Sequence, residues 1–548
     1  MTTLDRKTAA LAACAFAVLV SLPLQSRAQL ADCQLIDEAF HINAPGGCIG
    51  KPLRDQIGPG QGDVNTQYSS IYLIKRDPAR AIRRGRQLFQ RKWSLEEGLG
   101  PRLNAFSRGD ITKHRALGAG LSDSCAACHG RPRGSAGSGG DVATFPDSRD
   151  APHLFGLGLI EMLSDEVTAD LRAIRDKALN DARGGDVATG GAKPGPVKAL
   201  LTSKGVDYGR ITAFPDGRVD TSQIRGVDTD LRVRPFLHQG VTVSIREFIV
   251  GALNAEMGLQ TWDPIICAAT DPMNPQAMTS PSGFKFDPAL DTFERPPSCS
   301  NAEDPDGDGH AGEINPALVD YLEFYLLNYF KPGQYRTTAR AAEGLALMEE
   351  IGCTSCHVRN LEVNHDRRVA DAETTFDPER GIFNELFTEV YPLFGPLKDE
   401  DPYPQLLPIG GKFLVENVFT DLKRHDLGPN FHERDFDGSL IETHVTEPLW
   451  GVATTAPYGH DGRSVNLDAV IRRHGGEAEQ ERWAYVQLGP ENQSKIVDFL
   501  QTLVLFPPDD TASSLNPGKP GSDNPQDPAN HGNINLGLLF QLKYEGVE

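Results

Sequence analysis

Cys125-Ala126-Ala127-Cys128-His129 sets two thiols three positions apart with an imidazole directly after them. That spacing suits covalent attachment of a c-type haem: each thiol adds to one vinyl group of the porphyrin, and the adjacent imidazole lies under the iron as its proximal ligand. The pattern recurs once, as Cys353-Thr354-Ser355-Cys356-His357. Read as zinc half-sites, the two motifs would need further paired Cys or His ligands, and none are available to them. Two covalently bound haem c groups are therefore expected, with iron on His129 and His357.

Outward from each motif the order of elements repeats. Pro78 to Trp93 carries apolar residues at helical spacing before the first motif, and Ala339 to Ile351 reads as a helix delivering Cys353. An apolar turn, Ala151 to Glu161, is expected to lead into a helix running to about Leu179, and helices are also expected from Ile245 to Met257 with Glu256 near the end, and from about Pro316 to Tyr329. Gly130 to Gly140 and Gly184 to Gly195 read as loops, and Lys331 to Tyr335 as a linker. The expected fold is mainly α: two cytochrome c-like domains, each with one covalent haem, the N-terminal one enlarged by insertions. The expected division is 1–28 signal peptide, 29–335 N-terminal haem domain, 336–508 C-terminal cytochrome c domain and 509–548 extended tail, with an insertion from about Val363 to Lys412.

At 548 residues the chain has room for about two to four domains. Its formal charge of -21 argues against nucleic acid or an anionic membrane surface, and suits a basic redox partner. Arg6 and Lys7, an apolar run from about Ala9 to Leu22, and Ser26-Arg27-Ala28 read as a signal peptide cleaved before Gln29. The expected location is periplasmic. No later run reaches the length of a membrane span, so an integral membrane protein is not expected. With Cys14 removed in the signal, Cys33, Cys48, Cys267 and Cys299 remain outside the haem motifs. An even number in an oxidising compartment suggests two disulfides. Three pairings are possible, and short loop closure favours Cys33 with Cys48 and Cys267 with Cys299.

The block Thr446 to Arg463, with Pro457-Tyr458-Gly459-His460-Asp461-Gly462, and the segment Leu467 to His474 after it resemble the bacterial di-haem cytochrome c peroxidase superfamily. A closer resemblance is to the di-haem oxidoreductase family within it, through Pro152 to Glu161, Thr420 to Gly428, and Arg473-His474-Gly475-Gly476-Glu477-Ala478. With both haem motifs the likeness runs from about Gly85 to Pro507. In the peroxidases the distal ligand of the C-terminal haem lies fourteen residues beyond the His of H-D-G, which here is His474. The resemblance thus implies a bis-histidine second haem of lowered potential. His425 is the alternative ligand, and His460 is expected to hold its loop through Asp461.

In the same family a displaceable histidine follows the first haem motif, yet Gly130 to Asp150 contains neither histidine nor methionine. The first iron is therefore expected to keep an open face for peroxide or dioxygen. Peroxide cleavage needs a general acid/base, for which Glu161 and Glu256 are the preferred candidates and His153 and His238 the others. His238 could instead bind the first iron. Trp450 is the candidate electron relay, with Trp93 as alternative. The peroxidases also hold calcium between the haems, which the resemblance places at Asp150, Thr455 and Pro457. A second possible calcium loop, Asp304, Asp306 and Asp308, has alternating carboxylates but carries Asn315 at position twelve. The expected work is peroxidase-like redox catalysis at haem one with haem two relaying electrons from a small redox protein. A non-enzymatic di-haem electron carrier and a dioxygenase of the rubber-oxygenase type are the alternatives.

Overall fold

The computed structural model describes residues 66, 69–76, 78–93, 124–130, 136, 141–143, 148–185, 193–304, 311–329, 332–335, 337–368, 390–392, 413–434 and 439–505. The chain divides into two compact units between Tyr72 and Leu73, and the elements that build the site all lie in the second. The signal segment, Cys33, Cys48, Asp306, Asp308 and the C-terminal tail fall outside the described residues, as does most of the Val363 to Lys412 insertion. No helix among the described residues is long and apolar enough to cross a membrane.

Helix α1 (Pro78–Gln90) buries Ala81, Ile82, Leu88 and Phe89. It leads towards α2 (Cys125–His129), where the Ser124 hydroxyl accepts from the Ala127 N–H at 3.1 Å and caps the first turn. Helix α3 (Leu157–Ala182) buries Leu159, Leu163, Val167 and Leu171, spaced four apart on one stripe. A meander follows: β1 (Val197–Ser203), β2 (Val206–Ala213) and β3 (Val219–Ile224), all antiparallel. Then come α4 (Ile245–Ala255), α5 (Pro264–Ala269) and α6 (Pro316–Asn328), the last buried at almost every position. Cys267 and Cys299 are disulfide-bonded across the intervening loop, the pairing favoured by loop closure.

The second haem motif is preceded by α7 (Ala339–Glu350), whose Thr338 hydroxyl accepts from Ala341 N–H at 3.1 Å. After it come β5 (Arg424–Asp426) and β6 (Thr443–Val445), paired so that His425 faces His444, and then α8 (Leu467–Arg473), α9 (Glu479–Gln487) and α10 (Gly489–Leu500). Strand β4 (Pro332–Tyr335) corrects the expected linker: it pairs antiparallel with Leu503–Leu505.

Two helix crossings repeat one device. At Gly85 in α1 any Cβ would collide with the Tyr321 carbonyl of α6, and at Gly344 in α7 with the Lys495 carbonyl of α10. Glycine lets each helix that leads to a haem motif press backbone to backbone against a later helix. In the second case the crossing closes a core of Ala341, Met348, Phe419, Ile496 and Phe499.

The expectation of a mainly α chain is corrected to a mixed helix and strand architecture. The largest addition is the meander, which buries Leu201, Val206, Tyr208, Ile211 and Ala213 in a largely alternating pattern while Leu200 is 63% exposed. The Tyr208 hydroxyl ties it further, donating to the Asp421 carbonyl at 2.9 Å.

The centre of the first half is a buried ion cluster. The Arg246 guanidinium on α4 is wholly buried and donates to Asp263 at 3.0 Å and to Asp320 and Glu323 on α6 at 2.8 Å each. Removing the cation would leave three buried carboxylates facing one another. Arg246→Met is therefore expected to lower stability by about 3 to 5 kcal/mol, read as the shift of the urea midpoint at pH 7.

Candidate functional site

The geometry begins with three imidazoles held alike. Nδ1–H of His129 donates to the Pro152 carbonyl at 2.7 Å, Nδ1–H of His357 to the Phe419 carbonyl at 3.0 Å, and Nδ1–H of His474 to the Val470 carbonyl at 2.8 Å. A neutral imidazole that donates through Nδ1 keeps its lone pair on Nε2, the tautomer a metal needs. Burial keeps them in that form. It pushes His129 and His474 down to about 4 and lowers His357, against the smaller opposing pull of the carbonyls.

His357 and His474 line one cavity of about 300 Å³, together with Cys353 and Cys356. Its walls are largely apolar, from Met348, Leu467, Val470, Ile471 and Leu500, as a ligand site requires. His474 stands at the C-cap of α8, and the neighbouring Arg473 fixes that end by pairing with Asp461 at 2.7 Å and donating to the Asn430 carbonyl at 2.8 Å. Phe431 meets the His474 ring edge to face with centroids 5.6 Å apart.

His425 behaves differently. Nε2 lies 2.9 Å from Asp421 and Nδ1 2.9 Å from Glu477, so both nitrogens donate to carboxylates. Burial opposes the charge, but the Asp421 bond and then the Cys356 sulfur outweigh it and raise His425 to about 10. As placed, His425 has both nitrogens on carboxylates, whereas His474 is held through Nδ1, the arrangement that better suits a ligand. His460 does not bond its neighbour Asp461; its Nε2 lies 3.3 Å from Glu433, while Asp461 is held by Arg473.

Asp150, Thr455 and Pro457 all line the same cavity, and Asp150 N–H donates to the His460 carbonyl at 2.8 Å. His153 and His238 are there too, His153 stacked on Phe155 at 3.8 Å and His238 bonded to Glu447 at 3.1 Å. Glu161 is elsewhere engaged: one oxygen pairs with Arg367 and the other accepts from Ile245 N–H at 2.6 Å. It is absent from the cavity wall. So is Glu256, which caps α4 at an exposed position. Trp450 is wholly buried between Leu449 and Val452, two residues that do line the cavity. Trp93 is buried with its indole N–H unbonded among the described residues. Asp304 is the one described member of its aspartate loop.

Sequence reasoning missed Glu433, His444 and Glu447. Glu433 and His444 stand in short strands whose pairing brings them inward, and no local spacing signals it. The carbonyls of Pro152, Phe419 and Val470 were equally silent, since any residue supplies a carbonyl.

Residues 414–503 match the family model described as "Di-haem oxidoreductase, putative peroxidase". The match contains Trp450, His460 and His474. No curated protein matches the chain. Among solved structures, a chain of Kuenenia stuttgartiensis hydrazine synthase pressurised with xenon aligns at 15% identity over 35% of this chain and 56% of that one, with a TM-score of 0.20. The alignment thus spans little more than half of that chain, and so loose a superposition decides nothing about fold or function.

The His425 pairing has a testable pH signature. Its folded value of about 10 lies above the ordinary 6.5, so its stabilisation is complete below pH 6.5 and is lost as pH rises through 10. His425→Asn is expected to cost roughly 2 to 3 kcal/mol at pH 6 and much less at pH 10.5, measured as wild-type minus variant urea midpoints.

Proposed function

We propose, from the family match over residues 414–503 as premise, that the chain is a periplasmic di-haem c-type oxidoreductase of peroxidase type, with haem one reacting and haem two relaying electrons. The observation that carries this reading is the matched setting of His129 and His357, each the last residue of a Cys-x-x-Cys-His motif and each tied through Nδ1 to a carbonyl. His474, which lines the same largely apolar cavity as His357, supports a second haem closed on both faces. Two further features fit bound porphyrins. All four motif cysteines are free thiols, and the unbonded Trp93 indole N–H, in the segment after α1, suits a propionate oxygen.

Bound haem would supply one-electron chemistry and, on an open face, a site for peroxide. The chain's residues orient and insulate. Carbonyl bonds at Pro152 and Phe419 hold the proximal rings and strengthen them as donors. Trp450 and its cavity-lining neighbours fill the region with low-dielectric matter through which an electron could pass. Of the sequence candidates for proton transfer, His238 suits the task better than Glu161 or Glu256, because it faces the cavity and its partner Glu447 raises its pKa against burial. Asp150, Thr455 and Pro457 line the same cavity, where their carboxylate, hydroxyl and carbonyl oxygens are of the kind calcium takes. In sequence, the division into a 29–335 domain and a 336–508 domain follows the two glycine crossings, one before each motif.

Electron paramagnetic resonance of the oxidised holoprotein tests the reading. A low-spin signal from haem two and a separate signal that changes with peroxide are expected, together with peroxide-dependent oxidation of a small reduced cytochrome. Two low-spin signals indifferent to peroxide before and after reduction would instead mark an electron carrier. His474→Ala is expected to turn the haem two signal high-spin and leave the other unchanged.

A further inference from the structure

Beside the cavity, three buried side chains converge with no role in the function proposed above. Glu433, His444 and His460 are 3%, 7% and 7% exposed, and one ligand atom from each lies within 4.8 Å of the others. The two imidazoles stack with centroids 4.2 Å apart and planes 17° from parallel. His460 Nε2 and Glu433 Oε2 are 3.3 Å apart. Two ligands at about 2.0 to 2.1 Å from one tetrahedral metal stand roughly 3.3 Å apart, so that separation is what coordination would set.

His444 supplies the second observation. Both of its ring nitrogens are buried and neither has a hydrogen-bond partner among the described residues. Leaving a buried polar atom unmet costs about 1 to 3 kcal/mol, so two on one ring call for an occupant.

The surroundings are built to hold this arrangement. His444 sits on β6, fixed by pairing to β5, and Glu433 sits on the strand Glu433–Arg434 paired to Leu440–Ile441. His460 occupies the tip of a loop closed by Tyr458 and Ser464, whose N–H groups donate to each other's carbonyls at 2.7 and 3.2 Å. Phe431 lies between the rings of His460 and His474, 6.2 and 5.6 Å from their centroids. Both His444 and His460 also line the cavity.

We infer that Glu433, His444 and His460 form a binding site for a divalent first-row transition metal such as zinc or ferrous iron, with a remaining coordination position open to the cavity. Two imidazole nitrogens and one carboxylate oxygen select this class, whereas calcium takes oxygen ligands only. The site thus differs in ligand chemistry from the calcium position at Asp150, Thr455 and Pro457, and does not depend on what reaction the haems perform. Its place one aromatic ring from His474 would let the metal's charge bear on the second haem.

The experiment uses the tag-free holoprotein, stripped with a chelator and titrated with zinc in a calorimeter, with zinc-edge X-ray absorption on the loaded sample. One equivalent is expected to bind, with a spectrum showing two imidazole ligands. His444→Phe keeps the stacked ring and removes both nitrogens; it should weaken binding by roughly a hundredfold or more. Glu433→Gln should weaken it by about tenfold and serves if the first variant does not fold, which the haem Soret band reports. Absence of zinc binding by the wild type, a spectrum without two imidazoles, or unchanged affinity in whichever variant folds would each overturn the assignment.

Discussion

An imidazole in a dry interior must give its N–H to something, and what accepts it decides what the ring can do. At His129, His357 and His474 the acceptor is a neutral carbonyl, from Pro152, Phe419 and Val470. The bond fixes the tautomer, aims Nε2 and leaves the ring uncharged. At His425 the acceptors are carboxylates on both sides, and the same side chain is favoured as a cation that stitches β5 to Glu477. These two residues, His425 and His474, stand in one cavity wall and have opposite chemistry because of partners alone.

The carbonyls can be that reliable only if the backbone carrying them is immobile. Phe419 belongs to the core closed by the α7 and α10 crossing, where Gly344 brings two helices into backbone contact. In the first half the comparable crossing is α1 on α6 at Gly85, and α6 in turn carries two of the carboxylates that hold Arg246. The ion cluster ties α4, α5's cap Asp263 and α6 into one block. Rigidity at each ligand thus traces to a glycine and to buried charge, neither of which is itself near the reacting groups.

Much of this was legible in the sequence wherever the signal was local. Cys-x-x-Cys-His marks its own positions, helical spacing gave α1, α4, α6 and α7 nearly to their ends, and the resemblance to the di-haem peroxidases singled out His474, which lines the cavity. What stayed hidden is long-range. The alternation of the β1–β3 meander is broken by register shifts at Leu200/Thr202 and Arg210/Thr212, and its Tyr208 reaches Asp421 far along the chain. Strand β4 looked like a linker because its partner, Leu503–Leu505, comes far later in the chain. Glu161 was a candidate because peroxide cleavage needs an acid/base; Arg367, far along the chain, occupies it. Glu433 and His444 carry no motif at all.

Seven histidines line the cavity, and their partners sort them without reference to any motif. His425 is doubly paired to acids, an arrangement that suits a ligand less well. His238 is bonded to Glu447 and drawn upward in pKa, which suits it to carry a proton. His357 and His474 present one aimed lone pair each. His153 is stacked on Phe155 and depressed by burial to about 4, so packing holds it neutral. That leaves His444 and His460, which are also neutral but lack the carbonyl that aims the other ligands. Imidazoles placed face to face resist being protonated together, since charging one penalises charging the next. A cavity crowded with histidines can therefore stay uncharged near pH 7 and keep its lone pairs for metals, provided the few carboxylates present are assigned to the rings meant to be cations.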